Sequence, residues 1–164
     1  MKLAKPFLIA VAVLAVVGAL AYALMDKSHA PAATFTTLEG NPIVLSELRG
    51  KVVLVNFWAT SCPGCIKEMP GMVETYKQYK DRGFEIVAVA MSYDPLNYVA
   101  NYVQTHQLPF PVALDADGAH AKAFGDVQLT PTSFIIGKDG SILEQKLGEL
   151  DFVKLNALLD KELS

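Results

Sequence analysis

The chain has 164 residues and a formal net charge of −3. That length suits one domain with an appendage, and mild acidity without a basic run argues against nucleic acid as a partner. Hydrophobic residues make up 52% of the chain, enough for a core beside one apolar N-terminal run.

That run is Phe7 to Met25, which has no charged residue and is mostly Ala, Val and Leu. As a helix it just spans a bilayer core of about 30 Å. Lys2 and Lys5 precede it, and the next Lys or Arg is Lys27. This asymmetry places the N-terminus in the cytoplasm and the rest outside. A cleaved signal peptide is the competing reading, although its apolar region is usually only about 7–15 residues. Ala21-Tyr22-Ala23 resembles a cleavage site but lies inside the run. Residues 1–25 are therefore read as an anchor or signal peptide, 26–33 as a tether, and 34–164 as the folded domain. Both readings export the domain.

Thr34 to Leu38 and Pro42 to Leu45, around Glu39-Gly40-Asn41, predict a short hairpin. Ser46 begins a helical turn that Gly50 ends. Lys51 to Phe57 is an unbroken apolar run that suits a central strand covered on both faces. Pro63 to Arg82 predicts a helix, with Pro63 in the first turn, Gly83 as its cap and a kink at Pro70. Phe84 to Met91 is a second buried strand. Asp94-Pro95 starts a helix with an apolar stripe of Leu96, Val99, Ala100 and Val103. Phe110 to Leu114 is a third strand, and Asp115 to Gly125 holds a short helix. Ser133 to Ile136 and Ser141 to Gln145 flank the turn Gly137-Lys138-Asp139-Gly140. Leu150 to Leu163 is an amphipathic helix. Alternating strands and helices that end in a hairpin and a helix imply an α/β sandwich with a mixed sheet.

The chemistry concentrates at Cys62-Pro63-Gly64-Cys65, which contains the chain's only two cysteines. The pair lies between the Lys51–Phe57 strand and the Pro63–Arg82 helix. A thiol at a helix N-terminus faces free N–H groups and the positive end of the macrodipole, which favour the thiolate. A structural staple is a weak alternative, because so short a loop yields only about 2 kcal/mol on the chain-entropy estimate. Structural zinc needs four ligands, and His29, His106 and His120 are all remote in sequence from the pair. Redox chemistry is the reading that a CxxC pair in a strand–helix context favours, with no metal and no cofactor.

Gly50 to Thr60, followed by Cys62-Pro63-Gly64-Cys65 and Glu68-Met69-Pro70, resembles the thioredoxin superfamily. Within it the chain is similar to the membrane-anchored TlpA/ResA-like thiol–disulfide oxidoreductases. Thr130 to Ile136, followed by Asp139-Gly140, resembles that family's cis-proline loop and strand. The resemblance covers about Thr34 to Ser164. It implies a thioredoxin-like three-layer sandwich with a mixed central sheet, an N-terminal hairpin and an inserted helical segment.

The resemblance also assigns roles. Cys62 is the nucleophile and Cys65 resolves the mixed disulfide, the two forming a redox-active disulfide. A cis Pro131 faces the cysteines, exposes the Thr130 backbone to a substrate strand and keeps a metal from closing on the thiols. Glu68, three residues after Cys65, moves protons for the resolving cysteine. Asn56 occupies the place of thioredoxin's buried aspartate and cannot titrate, so Glu68 has to supply that function. Trp58, Pro63, Gly64 and Thr130 border the substrate. Ser61 departs from the family pattern, which has Trp before the first cysteine.

The function expected is an exported reductase of disulfides in cell-envelope proteins, for example in cytochrome c maturation or copper-site assembly. Its electron donor is a thiol–disulfide protein of the membrane, and its place is the periplasmic side of a bacterial inner membrane. A thiol peroxidase is one alternative. The peroxiredoxin pattern needs Thr or Ser three residues before the nucleophile and Pro seven before it, where this chain has Ala59 and Val55. A Cu(I)-binding metallochaperone is another, since thiolates suit Cu(I), but a third ligand is not evident.

Overall fold

The computed structural model describes Val13 and residues 28–164. The anchor or signal peptide expected at residues 1–25 lies, apart from Val13, outside the described residues. Among the described residues no helix is long and apolar enough to cross a membrane.

Five strands form the central sheet, in the order β5-β4-β3-β6-β7. They are β3 (Val52–Trp58), β4 (Phe84–Ala90), β5 (Val112–Leu114), β6 (Thr132–Ile136) and β7 (Ile142–Leu147). β3, β4 and β5 run parallel, while β6 is antiparallel to β3 and β7 to β6. The sheet is thus mixed, as the sequence implied. β1 (Thr34–Thr36) and β2 (Pro42–Val44) make the expected separate hairpin.

β3 is the centre of the molecule, and all seven of its residues are buried. Its β-branched and aromatic side chains suit a pleated surface covered on both sides. Val52, Leu54 and Trp58 point into one core, with Met69 and Met72 of α1 (Pro63–Tyr79), Val99 of α2 (Leu96–His106), and Leu155 and Leu159 of α4 (Phe152–Glu162). Val53, Val55 and Phe57 point into the other, with Phe35 of β1, and Ala121 of α3 (Ala119–Ala123) and the neighbouring Phe124. Helices, sheet, and hairpin with α3 are the three layers expected. Asn56 falls in β3 on the α1 face, a polar side chain in an otherwise apolar strand.

The helices refine the local expectations. α1 continues through Pro70 to Tyr79 and tightens into a 3-10 turn over Lys80–Arg82, which Gly83 closes at φ +99°. On α2 the packed side is Val99, Tyr102 and Val103, whereas Leu96 and Ala100 of the predicted stripe are exposed. Leu96 is the first helical residue and is 55% exposed. The helix expected to start at Asp94-Pro95 begins at Leu96, with Pro95 before it, and the Asp94 carboxylate is engaged elsewhere.

Residues before the hairpin also belong to the folded unit. Ala30 N donates to Gly140 O at 3.0 Å and Ile142 N to Ser28 O at 2.7 Å, with His29 bridged to Ser141. This short ladder lies at the start of β7. The register Ile136 with Ile142, and Val53 with Ile136, puts it at the start of β3, the pole opposite Cys62.

Phe57 packs edge-on against Phe124 at 5.4 Å and Phe134 at 6.1 Å, with no exposed surface. Phe57→Ala is expected to lower the unfolding free energy by about 3–5 kcal/mol in urea titration. Val153, which is 82% exposed, should tolerate Val153→Ala within about 0.5 kcal/mol.

Candidate active site

The site is built where β3 ends and α1 begins. Met91 N donates to Trp58 O at 3.0 Å, holding the end of β3 to the loop after β4. Ala59 to Cys62 then form a turn, with Cys62 N donating to Ala59 O at 3.1 Å. Cys62 is the N-cap of α1 and Pro63 its first residue. Proline suits that place, because its missing N–H would have had no helical partner. Cys62 Sγ accepts from Cys65 N at 3.2 Å, a capping contact of the kind Ser or Asp makes at other helix starts.

Cys62 and Cys65 are joined as a disulfide, with Cα atoms 5.3 Å apart. They are not equivalent. Cys62 is half-buried, whereas Cys65 has no exposed surface. Only the first sulfur can be approached from outside.

Thr130-Pro131 is a cis peptide bond. Its position follows from strand pairing: Phe57 is opposite Thr132, so the residue before Thr132 lies beside the end of β3. Pro131 is buried, and its Cδ lies 3.5 Å from where a Cβ on Gly64 would be. Gly148 N donates to Pro131 O at 2.9 Å and Thr132 Oγ1 to Leu129 O at 2.7 Å, so the loop is fastened on both sides. Thr130 is half-exposed. Pro63 is exposed and Gly64 half-exposed, so the dipeptide between the cysteines forms the outer face of the site. Trp58 is fully buried and lies against Tyr102 at 5.4 Å, so it is a wall behind the site rather than a surface a substrate can touch.

Glu68 is only 3% exposed, one helical turn after Cys65 on α1. Its Oε1 accepts from Asn56 Nδ2 at 2.9 Å and its Oε2 from Leu150 N at 2.9 Å. Asn56 Nδ2 also donates to Ser133 Oγ at 2.9 Å. Burial pushes the Glu68 carboxyl above the usual range, and the nearby Glu149 charge adds to this. The Leu150 N–H and the Asn56 amide pull the other way and do not offset the burial. Asn56 Oδ1 and Trp58 Nε1 are buried without hydrogen-bond partners.

The structure thus brings Cys62, Cys65, Pro63, Gly64, Glu68, Thr130 and Pro131 to one pole, with Trp58 behind them. It also adds residues that sequence reasoning missed. Ser133 and the Leu150 N–H complete the Glu68 network. A serine just before the apolar run Phe134 to Ile136 was the available signal in the chain; that it faces Asn56 comes from the strand register. Lys67 Nζ pairs with Glu149 at 2.8 Å, and the Glu149 carboxylate reaches over Gly64, with Oε1 3.6 Å from the position of an added Cβ. The three histidines lie apart. His29 is on the N-terminal ladder, His106 stacks on Tyr102 at 4.0 Å and His120 lies 4.7 Å from the Phe35 ring. Among the described residues no group of three or more His, Cys, Asp or Glu is placed to hold a metal ion.

The Redoxin family matches residues 25–159. The chain is 42% identical over 133 residues to the thiol-disulfide oxidoreductase ResA of Bacillus thuringiensis subsp. konkukian (strain 97-27), covering 81% of this chain and 76% of that protein. It is 37% identical over 127 residues to ResA of Bacillus subtilis (strain 168), covering 77% of this chain and 70% of the relative. The crystal structure of a thiol:disulfide interchange protein of the thioredoxin family from Chlorobium tepidum TLS superposes with a TM-score of 0.77 at 31% identity. It covers 85% of this chain and 98% of the other. A match that takes in the disulfide loop, the cis-proline loop and the whole sheet shows that this chain belongs to the Redoxin family, as a ResA-like thiol–disulfide oxidoreductase of thioredoxin fold.

Proposed function

We propose that the protein reduces disulfides of cell-envelope proteins, with apocytochrome c and copper-site assembly factors as the kinds of substrate. The asymmetry of the pair carries this reading: one sulfur is open at a helix N-cap and the other is sealed beneath it. An accessible attacking thiol and a protected resolving thiol are what a two-step exchange requires.

In the reduced protein the Cys62 thiolate attacks one sulfur of the partner disulfide. A mixed disulfide forms, and the partner's other sulfur leaves as a thiolate that takes up a proton. Cys65, deprotonated, then attacks Cys62 Sγ and expels the second partner thiolate. The partner gains two electrons and two protons, and the enzyme is left as the Cys62–Cys65 disulfide. A membrane thiol–disulfide donor resets it. Thr130 beside Pro131 offers an edge for the partner's backbone, and Pro63 and Gly64 form the floor it lies on.

Glu68 is the group that takes the Cys65 proton. It is buried on the same helix as Cys65, burial raises its carboxyl above the usual range, and it bonds Asn56 of the central strand. A half-turn of the Asn56 amide would present Oδ1, now unpartnered, to a protonated Glu68. One amide can therefore serve both protonation states.

The sequence supports placement of the domain on the outer side of a bacterial inner membrane, through the apolar run Phe7 to Met25. Export suits a chain that keeps a single cysteine pair for work on other proteins.

Three outcomes test this function. Cys65→Ser in cells should accumulate Cys62-linked mixed disulfides with envelope proteins, released by dithiothreitol and absent from the Cys62→Ser/Cys65→Ser double variant. Recovery of no partner sinks the reading. Glu68→Gln should slow resolution of a preformed mixed disulfide by about 10²-fold, measured by stopped flow, with the first attack nearly unchanged; equal rates in both proteins remove Glu68 from the mechanism. Burial also gives a pH signature in the oxidised protein. A folded carboxyl raised above its unfolded value holds its proton more tightly when folded. Stability from this group is complete below the unfolded value, about 4.3 for Glu, and is lost as pH rises through the folded one. Relative to Glu68→Gln, the wild type should therefore lose melting temperature as pH climbs from about 4 through the raised folded value.

A further inference from the structure

Asp94 is a buried carboxylate that thiol exchange does not use. It is 4% exposed, and among the described residues it forms no salt bridge. Both oxygens are given to one residue. Oδ2 accepts from Thr60 N and Oδ1 from Thr60 Oγ1, each at 2.6 Å. Burying an unpaired charge is costly, and short charge-assisted bonds held at two points return rigidity as well as energy. The rigidity falls on the turn that delivers Cys62, since Thr60 lies between Ala59 and Cys62, whose backbones are already joined.

The neighbouring residue reaches the other half of the site. Tyr93 OH is 3.3 Å from Thr130 Oγ1, directly before the cis bond. The same short loop is tied to β3 through Met91 N and Trp58 O, and folded on itself through Asp94 N and Met91 O at 2.9 Å. Tyr93 and Asp94 therefore hold the turn before Cys62 and the loop before Pro131 from a single rigid point.

We propose that Asp94 is a positioning residue, and that Tyr93-Asp94 form a bracket setting Cys62 against Thr130 for a polypeptide disulfide docked along the Thr130 loop. This rests on the reading above that the substrates are protein disulfides. Attack on sulfur requires near-linear approach to a disulfide whose chain is held by the loop, so the two loops must keep their separation. Displacement of either by about 1 Å is enough to cost on the order of 10²-fold in rate.

The test compares two reactions of the reduced full chain. Exchange with a disulfide-bridged peptide needs both Cys62 and the Thr130 loop. Alkylation of Cys62 by iodoacetamide needs the sulfur alone. Asp94→Asn and Thr60→Val should slow peptide exchange by about 10- to 100-fold while alkylation stays within about twofold of wild type. Thr60→Ser keeps both donors and should exchange like wild type. Tyr93→Phe, which loses only the tie to Thr130, should slow exchange less and leave alkylation untouched. If exchange and alkylation fall together, Asp94 acts on Cys62 alone and the bracket is wrong. If only the melting temperature falls, Asp94 is structural and the bracket is again wrong. Should Asp94→Asn fail to fold, Thr60→Val and Tyr93→Phe decide the matter by the same comparison. A wild type that exchanges with a small aromatic disulfide but not with the peptide overturns the protein-disulfide reading, and the bracket with it.

Discussion

The antiparallel register of β3 with β6, Phe57 opposite Thr132, carries both halves of the site to one pole of the sheet. Cys62 leaves the end of β3 while Thr130 and Pro131 enter the start of β6, so two segments some 70 residues apart meet across one pair of strands. Nothing at the site could be placed independently of this pairing. A slip by one residue would turn every side chain of β6 to the opposite face. The burial of β3 on both faces makes such a slip expensive, because Val53, Val55 and Phe57 serve one core while Val52, Leu54 and Trp58 serve the other. The precision of the site is thus inherited from apolar packing well away from the sulfurs.

Against that packing, the polar line from Ser133 through Asn56 and Glu68 to the Leu150 N–H is a deliberate expense. An apolar replacement at Glu68 would pack more cheaply, since a buried carboxylate without a cationic partner is unfavourable. The network also spans the layers: Ser133 lies on β6, Asn56 on β3, Glu68 on α1, and Leu150 just before α4. It ties the helix that carries Cys65 to the strand that follows Pro131. The Lys67–Glu149 pair adds an outer clasp between α1 and the segment that leads from β7 to α4, but both side chains are well exposed and such pairs contribute at most about 1 kcal/mol.

Much of this was legible in the chain because its signals are local. An apolar run of β-branched residues means a buried strand, and a cysteine pair just after it with proline between marks a helix start. The cis bond before Pro131 was legible only by resemblance, since most X–Pro bonds are trans. What stayed hidden depends on pairing over long distances. Asp94 read only as the start of a helix, yet its carboxylate bonds Thr60 in the turn after β3, 34 residues away in the chain. Ser133 read as a strand residue, and only the register shows that it faces Asn56. The stripe on α2 was misread for a related reason: helical spacing says which residues share a side, but not which of them the core covers.

The ladder formed by Ser28 to Ala30 joins the domain at the start of β7, at the pole of the sheet away from Cys62. Seven residues of strand separate the two poles, roughly 20 Å at the rise of an extended chain. The domain therefore has a handle and a working end. A pull on the N-terminal segment is met first by two backbone hydrogen bonds at a sheet edge, which can open one after the other before the central strand is disturbed. Cys62 thus works at the end of the domain away from the point where Ser28 to Ala30 join it.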